Sequence, residues 1–403
     1  MRTAFKCRAY PDPEQASVLN RTFGCVRVVW NRTLAWRQAR YRDGQIPTSY
    51  AQASAHLTAM KATEDLGWLN EVPSIPLQQA LRHQQAAFTS FFAGNARYPR
   101  YKSRGGRQST EYTRSGFRYR DGQLYLAKTG TPLAFAWSWP DIDPASLDPT
   151  TVTVSRDPCG RWYVSFAVEV PEPAQLPSAG AVVGVDLGIK DFAVTSDGNK
   201  IPSPRSLARR ERSLARYQRR QARCQKGSAN RAKARAKVAR AHRKVRASRA
   251  DFLHRTSTRL VRDHDVIVIE DLNVSGMLRN HSLAKAISDS GWGTFRRLLK
   301  YKAAKAGRHL IVIDRFYPSS KTCSACGHQL TELSLSTRAW QCPSCGTRHD
   351  RDVNAAKNIL AAGLAVSACG ADVRHPGTSR VRSAVKQEPR PVRAGIPALQ
   401  GGE

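Results

Sequence analysis

Two sets of residues in this chain have types and spacing that could do chemistry: three acids at the edges of apolar segments and four cysteines in two close pairs. In VVGVDLGIKDFAV, Val182–Val194, one acid, Asp186, stands inside an apolar run read as a buried strand, with Gly184 and Gly188 leaving room for close backbone approach. In DVIVIEDLN, Asp265–Asn273, the β-branched run Val266–Ile269 ends on Glu270 and Asp271. A third acid, Asp352, opens the alanine-rich stretch DRDVNAAKNIL, where a helix N-terminus favours an ionised carboxylate. A carboxylate is costly to bury unless it is paired or holds a metal. Three of them on separate elements of one α/β unit suit a two-metal site for phosphodiester cleavage, with magnesium or manganese activating water and stabilising the leaving oxygen. The same acids also have structural readings, Asp186 as a turn residue and Asp350 or Asp352 as a helix cap.

The cysteines Cys323, Cys326, Cys342 and Cys345 form C-x2-C-x15-C-x2-C in CSACGH and CPSCGT. That spacing predicts one tetrahedral zinc held by four thiolates, with no open ligand position and therefore a structural role. A redox pair of CxxC sites would need a thioredoxin-like βαβ context that neither knuckle has. Cys7, Cys25, Cys159, Cys224 and Cys369 are scattered singly and read as ordinary small residues.

The elements that must position these groups lie in a chain of 403 residues with 65 Lys and Arg against 31 Asp and Glu, a formal net charge of +34. Such an excess points to a polyanionic partner, and nucleic acid fits better than a membrane surface because the basic residues do not face a continuous apolar helix stripe. No apolar run reaches the length of a membrane span and MRTAFKCRAYPDPEQ lacks an apolar signal region, so a cytoplasmic protein is expected, nucleoid-associated when bound to DNA.

Residues 1–10 read as a strand, and from Glu14 to Phe92 the spacing is helical, with Val18, Phe23, Val26, Trp30, Leu34, Leu77, Leu81, Phe88 and Phe92 as interior positions. Arg97–Arg120 interleaves Tyr98, Tyr101, Tyr112, Phe117 and Tyr119 with basic residues and glycines, which suits a backbone-tracking surface or a solvated loop. Short β-rich stretches follow, QLYLAK, LAFAWSW, TVTVSR and RWYVSFAVEV, reading as a small barrel or sheet that a Pro-rich linker closes before Val182. Between Arg205 and Arg249 eighteen Lys and Arg face the single acid Glu211, with no proline; a basic helical hairpin broken near Gly227, lying along phosphates, is expected. A helix over Ser290–Lys305 leads to a further strand in HLIVIDRF.

With GVDLGIK, IVIEDLN, CSACG, CPSCG and DRDVNAAKNI in one order, the chain closely resembles the TnpB family of transposon-encoded proteins, relatives of type V CRISPR effectors. The resemblance covers nearly the whole chain and implies an RNA-guided DNA endonuclease whose guide RNA derives from the transposon end and whose double-stranded target DNA carries a short flanking motif. It implies a multidomain α/β protein: an N-terminal β-barrel-like wedge domain (1–10 and 95–175) carrying a helical recognition domain (11–94), and an RNase H-like RuvC nuclease domain (180–365). The nuclease domain would hold a basic helical insertion (203–255) and a zinc ribbon (317–348). Carried over by position, Asp186, Glu270 and Asp352 match the catalytic carboxylates and the four cysteines match the zinc ligands; Asp271 and Asp350 fall outside the motif positions. Tyr50 and Gln78 fall where the family contacts the motif duplex, and Ser74 where related members carry a basic reader. Arg231, Lys233, Arg235 and Lys237 are expected to neutralise phosphates. A nuclease-inactive guided repressor and a guide-independent transposase or packaging protein are the competing readings; intact acids at all three positions argue against the first. The tail from about Ala371, rich in Pro, Gly and Arg, reads as disordered.

Overall fold

A computed structural model describes residues 1–368 apart from 45, 46, 173 and 335; the tail expected to be disordered, and Cys369, lie outside the described residues. The chain divides into two compact units, Met1–Glu172 with Arg210–Lys244, and Pro173–Arg209 with the residues from Val245 on.

The first unit begins with β1 (Arg2–Tyr10), α1 (Pro13–Gly44), α2 (Tyr50–Ala62) and α3 (Ser74–Phe92). It continues with β2 (Gln108–Thr113), β3 (Phe117–Arg120), β4 (Gln123–Leu126), β5 (Ala134–Ala136), β6 (Pro149–Arg156) and β7 (Trp162–Glu169). Five of these strands form one sheet in the order β2-β6-β7-β1-β5, and β3 and β4 form a separate hairpin. Its edge strands β2 and β5 are not paired with each other, so the expected barrel-like arrangement is an open sheet in its backbone hydrogen bonds. The physical reason lies in β5, which is three residues long between Pro132 and Pro140 and meets β1 only at Arg8–Tyr10.

Helix α1 serves two cores. Leu19 and Phe23 pack with Phe5, Val164 and Phe166 of the sheet, whereas Cys25, Val26 and Val29 pack with Leu57, Met60, Leu77 and Leu81 of the other helices. Ser49 and Gln52 make a reciprocal capping box that starts α2. Two expectations for this unit are corrected. Phe92, expected inside, is 78% exposed, because it ends α3 where the helical spacing no longer faces a neighbour. Tyr112, expected among possible base platforms, is fully buried: the alternation of β2 turns it inward, and Phe117 and Tyr119 pack against the same core. Tyr98 and Tyr101 remain exposed.

The second unit holds a five-stranded sheet built from β8 (Val182–Asp186), β9 (Asp191–Thr195), β10 (Lys200–Pro202), β11 (Val266–Glu270) and β12 (His309–Ile313), ordered β10-β9-β8-β11-β12. In sequence, α4 (Glu211–Arg223) and α5 (Ala229–Asp263) come between β10 and β11, α4 and the part of α5 up to Lys244 belonging to the first unit, and the two are parted at Gly227, whose φ of +87° is left-handed. Helix α5 runs past 255, the expected end of the basic insertion, because no Gly or Pro interrupts Ala229–Asp263. The strand expected around Asp186 is β8, which ends on that residue, and the rest of the stretch Val182–Val194 turns back into β9, antiparallel to it with Val185 opposite Thr195. Strands β8, β11 and β12 are parallel, so Asp186 and Glu270 both stand at the C-terminal ends of adjacent strands.

After β11 come α6 (Val274–Met277), α7 (Ala284–Ser290) and α8 (Trp292–Ala306), which cover one face of the sheet with Ile287, Trp292, Phe295 and Leu299 against Val183, Val185, Ile267 and Ile269. Beyond β12 the small strands β13 (Ala339–Gln341) and β14 (Arg348–Asp350) frame the cysteine pairs, and α9 (Arg351–Ala368) follows. Ile359 and Leu360 of α9 pack with Val268, Ile311 and Ile313 on the opposite face.

The approach of α9 is closer than any side chain on β8 would allow. A Cβ at Gly184 would lie 2.1 Å from the Ala356 carbonyl oxygen and 2.7 Å from the Leu360 nitrogen. Gly184→Ala is therefore expected to push α9 off the sheet and cost about 3 kcal/mol or more. A thermal melt that leaves the midpoint unchanged would show that α9 is not held this closely.

Candidate active site

The topology gathers the three candidate acids. Asp186 ends β8, Glu270 ends the neighbouring β11, and Asp352 lies in the first turn of α9. Burial first, then the negative charges of Glu270 and Asp352, push the Asp186 carboxyl up to about 7. Burial also raises Glu270, opposed by a hydrogen bond from Ser319 Oγ at 2.5 Å. Negative charge thus gathers at the site, opposed at Asp186 by Arg351 and by a hydrogen bond from the Leu187 backbone.

The two neighbouring acids are occupied otherwise. Asp271 accepts from the guanidinium groups of both Arg296 and Arg315; burial alone would raise it, but these partners outweigh burial and hold it below the usual carboxylate range. Asp350 Oδ1 accepts from the backbone nitrogens of Asp352 and Val353, each at 3.1 Å, and so caps α9. Its other oxygen takes the Lys200 ammonium at 2.6 Å. Of the two acids that could have capped this helix, the cap is Asp350, which leaves the Asp352 carboxylate out of that role.

A magnesium or manganese pair fits the donor set, since all three groups are hard oxygen ligands whose mutual repulsion a cation would relieve. Among the described residues only the cysteines bring three or more such ligand atoms within 4.8 Å of one another. The carboxylates are thus spread more widely than the shell of one ion.

The cysteine centre is compact. Cys323 and Cys345 Sγ are 3.7 Å apart and Cys326 and Cys342 Sγ 3.6 Å, against a tetrahedral edge of about 3.8 Å for Zn–S bonds of about 2.3 Å. These residues fit one zinc. His349 Nε2 lies 3.0 Å from Cys323 Sγ, close enough to orient the sulfur.

Sequence reasoning missed the links between the two centres. Asn354 and Asn358, one helical turn apart and both buried, donate to the Thr322 carbonyl at 2.7 and 2.6 Å, and Asn354 Oδ1 accepts from the Ser324 nitrogen at 2.9 Å. The amide repeat in DVNAAKN was their only signal. Ser319, which holds Glu270, lies between Tyr317 and the first knuckle and carried none.

The candidate nucleic-acid contacts lie elsewhere on the chain. Tyr50 starts α2 with the Arg82 guanidinium 5.3 Å over its ring. Gln78, like Ser74, is exposed on α3, one turn before Arg82. Of the basic residues on α5, Arg231 donates to the Gln221 and Cys224 carbonyls at the end of α4, so part of its donor capacity closes the helical turn. Lys233, Arg235 and Lys237 are exposed. Replacing these three by glutamine is expected to flatten the salt dependence of RNA binding by about 0.7 log units for each phosphate no longer neutralised. An unchanged slope in a salt titration would show that they touch no phosphate.

Comparison with known proteins extends this picture. A family model described as "Probable transposase" matches residues 165–281, a "Cas12f1-like, TNB domain" matches 292–359, and a "Helix-turn-helix domain" matches 1–45, where this chain has one strand and one long helix. A protein of Streptomyces pristinaespiralis named "Putative RNA-guided DNA endonuclease" is 54% identical over 99% of both chains. A second, InsQ of Escherichia coli, named in the same way, is 32% identical over 91% of this chain and 94% of its own. Among solved structures, a Cas12f1 in complex with guide RNA and target DNA shares the fold at a TM-score of 0.54 and 14% identity, over 87% of this chain and 83% of its own.

Proposed function

We propose, from the premise that this chain belongs to the TnpB family, that it is an RNA-guided DNA endonuclease. The observation that carries the chemistry is the convergence of Asp186, Glu270 and Asp352 at one end of one sheet, with Asp186 raised by burial and then by the charges of the other two. We read that unit as the RNase H-like RuvC nuclease domain, and the open sheet with its helices as the wedge and recognition domains. Divalent cations, when bound, would activate the attacking water and stabilise the leaving oxygen. The protein's own residues prepare for this. Ser319 fixes the Glu270 carboxylate, Asp350 takes the capping role so that Asp352 is free to face Asp186, and Arg296 and Arg315 neutralise Asp271 so that it adds no further repulsion.

Guide pairing would read the target, while the protein reads heteroduplex shape and a short flanking motif. Tyr50 and Gln78 are the proposed motif contacts, a glutamine being able to address adenine through two hydrogen bonds. The guide is proposed to come from the transposon end, and the protein to act in the cytoplasm on nucleoid DNA. The test is to express the chain with its flanking transposon-end DNA, sequence the RNA that copurifies, and replace the guide segment. Cleavage should follow the new guide on plasmids carrying one flanking motif. RNA of no defined sequence, or cleavage indifferent to the guide, would overturn the reading.

A further inference from the structure

Phe316 is 85% exposed, more than any other large apolar side chain among the described residues. A single exposed phenylalanine is ordinary; its setting is not. It lies in the turn Asp314–Ser319 between β12 and the first cysteine knuckle, and that turn is pinned throughout. The Phe316 nitrogen donates to Asp314 Oδ1 at 2.7 Å, the Ser319 nitrogen to the Tyr317 carbonyl at 2.8 Å, and Tyr317 packs against the α9 side of the sheet. On one side of Phe316, Arg315 binds Asp271; on the other, Ser319 binds Glu270. One short turn therefore grips both acids at the end of β11 and holds an aromatic ring out into solvent, where a loose turn would let the ring fold back onto apolar surface.

Two guanidinium groups come together beside the turn that carries the ring. Arg296 and Arg315 share the single carboxylate of Asp271 and keep about two-fifths of their side-chain surface exposed, at 43% and 41%. Counted with Asp271 and with Asp314, the neighbour of Arg315 in sequence, these two guanidinium groups leave no net charge, but their exposed surface offers N–H donors to a phosphodiester beside a cluster of acids that would otherwise repel it. A held aromatic face next to exposed guanidinium donors matches a nucleotide whose base is unpaired, the base stacking and the phosphate meeting Arg.

We propose that Phe316 is a stacking platform for one unpaired base of the strand to be cut, with Arg296 and Arg315 engaging an adjacent phosphate, so that the strand is seated against Asp186, Glu270 and Asp352. This rests on the nuclease reading above. Phe316 is a positioning residue for the reaction, since base stacking leaves the reacting atoms to the carboxylates.

The test uses the full chain with its guide RNA. In a cleavage-silent Asp186→Asn background, a short single-stranded oligodeoxynucleotide containing 2-aminopurine should be quenched on binding, and Phe316→Ala should remove the quenching and weaken binding about tenfold or more. Phe316→Trp should restore both, whereas Phe316→Leu, equally apolar but without a π-face, should not. With the acids intact, Phe316→Ala should raise KM for a target already opened as a bubble more than it lowers kcat. Equal binding and KM in Phe316→Ala, or full rescue by leucine, overturns the proposal, as does a wild-type dimer in sedimentation that Phe316→Ala dissociates. If the wild type cleaves no DNA at all, the nuclease reading itself fails, an outcome distinct from these.

Discussion

Alanine at Asp186, Glu270 or Asp352 is expected to lower DNA cleavage by about 10³-fold or more while guide and target binding stay largely intact, as follows from the proposal that these carboxylates serve the chemical step rather than docking. Asp271→Ala and Asp350→Ala should keep substantial cleavage. Their cost is structural, since the first frees two arginines and the second uncaps α9. Stability should move the other way at the centre of the site. Burial and the two neighbouring acids place the folded Asp186 carboxyl near 7, above its unfolded value. Its contribution to stability is therefore present below the unfolded value and lost as pH rises through about 7 in metal-free protein. Asp186→Asn should then melt higher than wild type at pH above 7 without divalent cation, each unit of relieved shift being worth about 1.4 kcal/mol. Magnesium should raise the wild-type midpoint more above pH 7 than below it. Full cleavage by any of the three alanine variants would sink the site assignment, and an Asp186→Asn protein that melts lower in metal-free buffer would sink the electrostatic account.

The second large effect concerns zinc. Cys323→Ser or Cys345→Ser should lose one equivalent of metal and much of the folding energy of the ribbon, about 10–16 kcal/mol being available from such a site. Because Asn354 and Asn358 hold α9 to the ribbon backbone at Thr322, the damage should spread to the helix that carries Asp352. Hydrogen exchange at the start of α9 should rise, and cleavage should fall further than target binding. Wild-type protein without zinc by elemental analysis, or a cysteine variant with unaltered exchange at Val353–Ala356, would refute the coupling.

The acids were legible because a charge at the end of an apolar β-branched run breaks a simple pattern, and the cysteines because their spacing suits one ion. The partition between neighbours was not. Whether Asp350 or Asp352 caps α9 turns on whether the helix begins at Arg351, a boundary the spacing leaves open by a residue or two, and the Lys200 partner of Asp350 is far away in sequence. The hairpin within Val182–Val194 was hidden because its turn carries only Gly188 as a breaker, and apolar residues continue on both sides. Tyr112 misled because its basic and aromatic neighbours suggested a surface, while the alternation that buries it is set by pairing with β6. Ser319 acts through a single tertiary contact, which leaves no periodic trace.

The placement of Asp352 on the last described helix also sets an order of events. In synthesis from the N-terminus, the segments that become β8 and β11, with Asp186 and Glu270, emerge before the helix that carries Asp352. The third acid follows the cysteine segment, whose four thiols fit one zinc, and it docks where Gly184 admits its helix. In the proposed reading, a nascent or zinc-starved copy would carry the basic helices without all three acids in place. On the proposed reading, nuclease activity would be the last property of the chain to form, and it would wait on zinc.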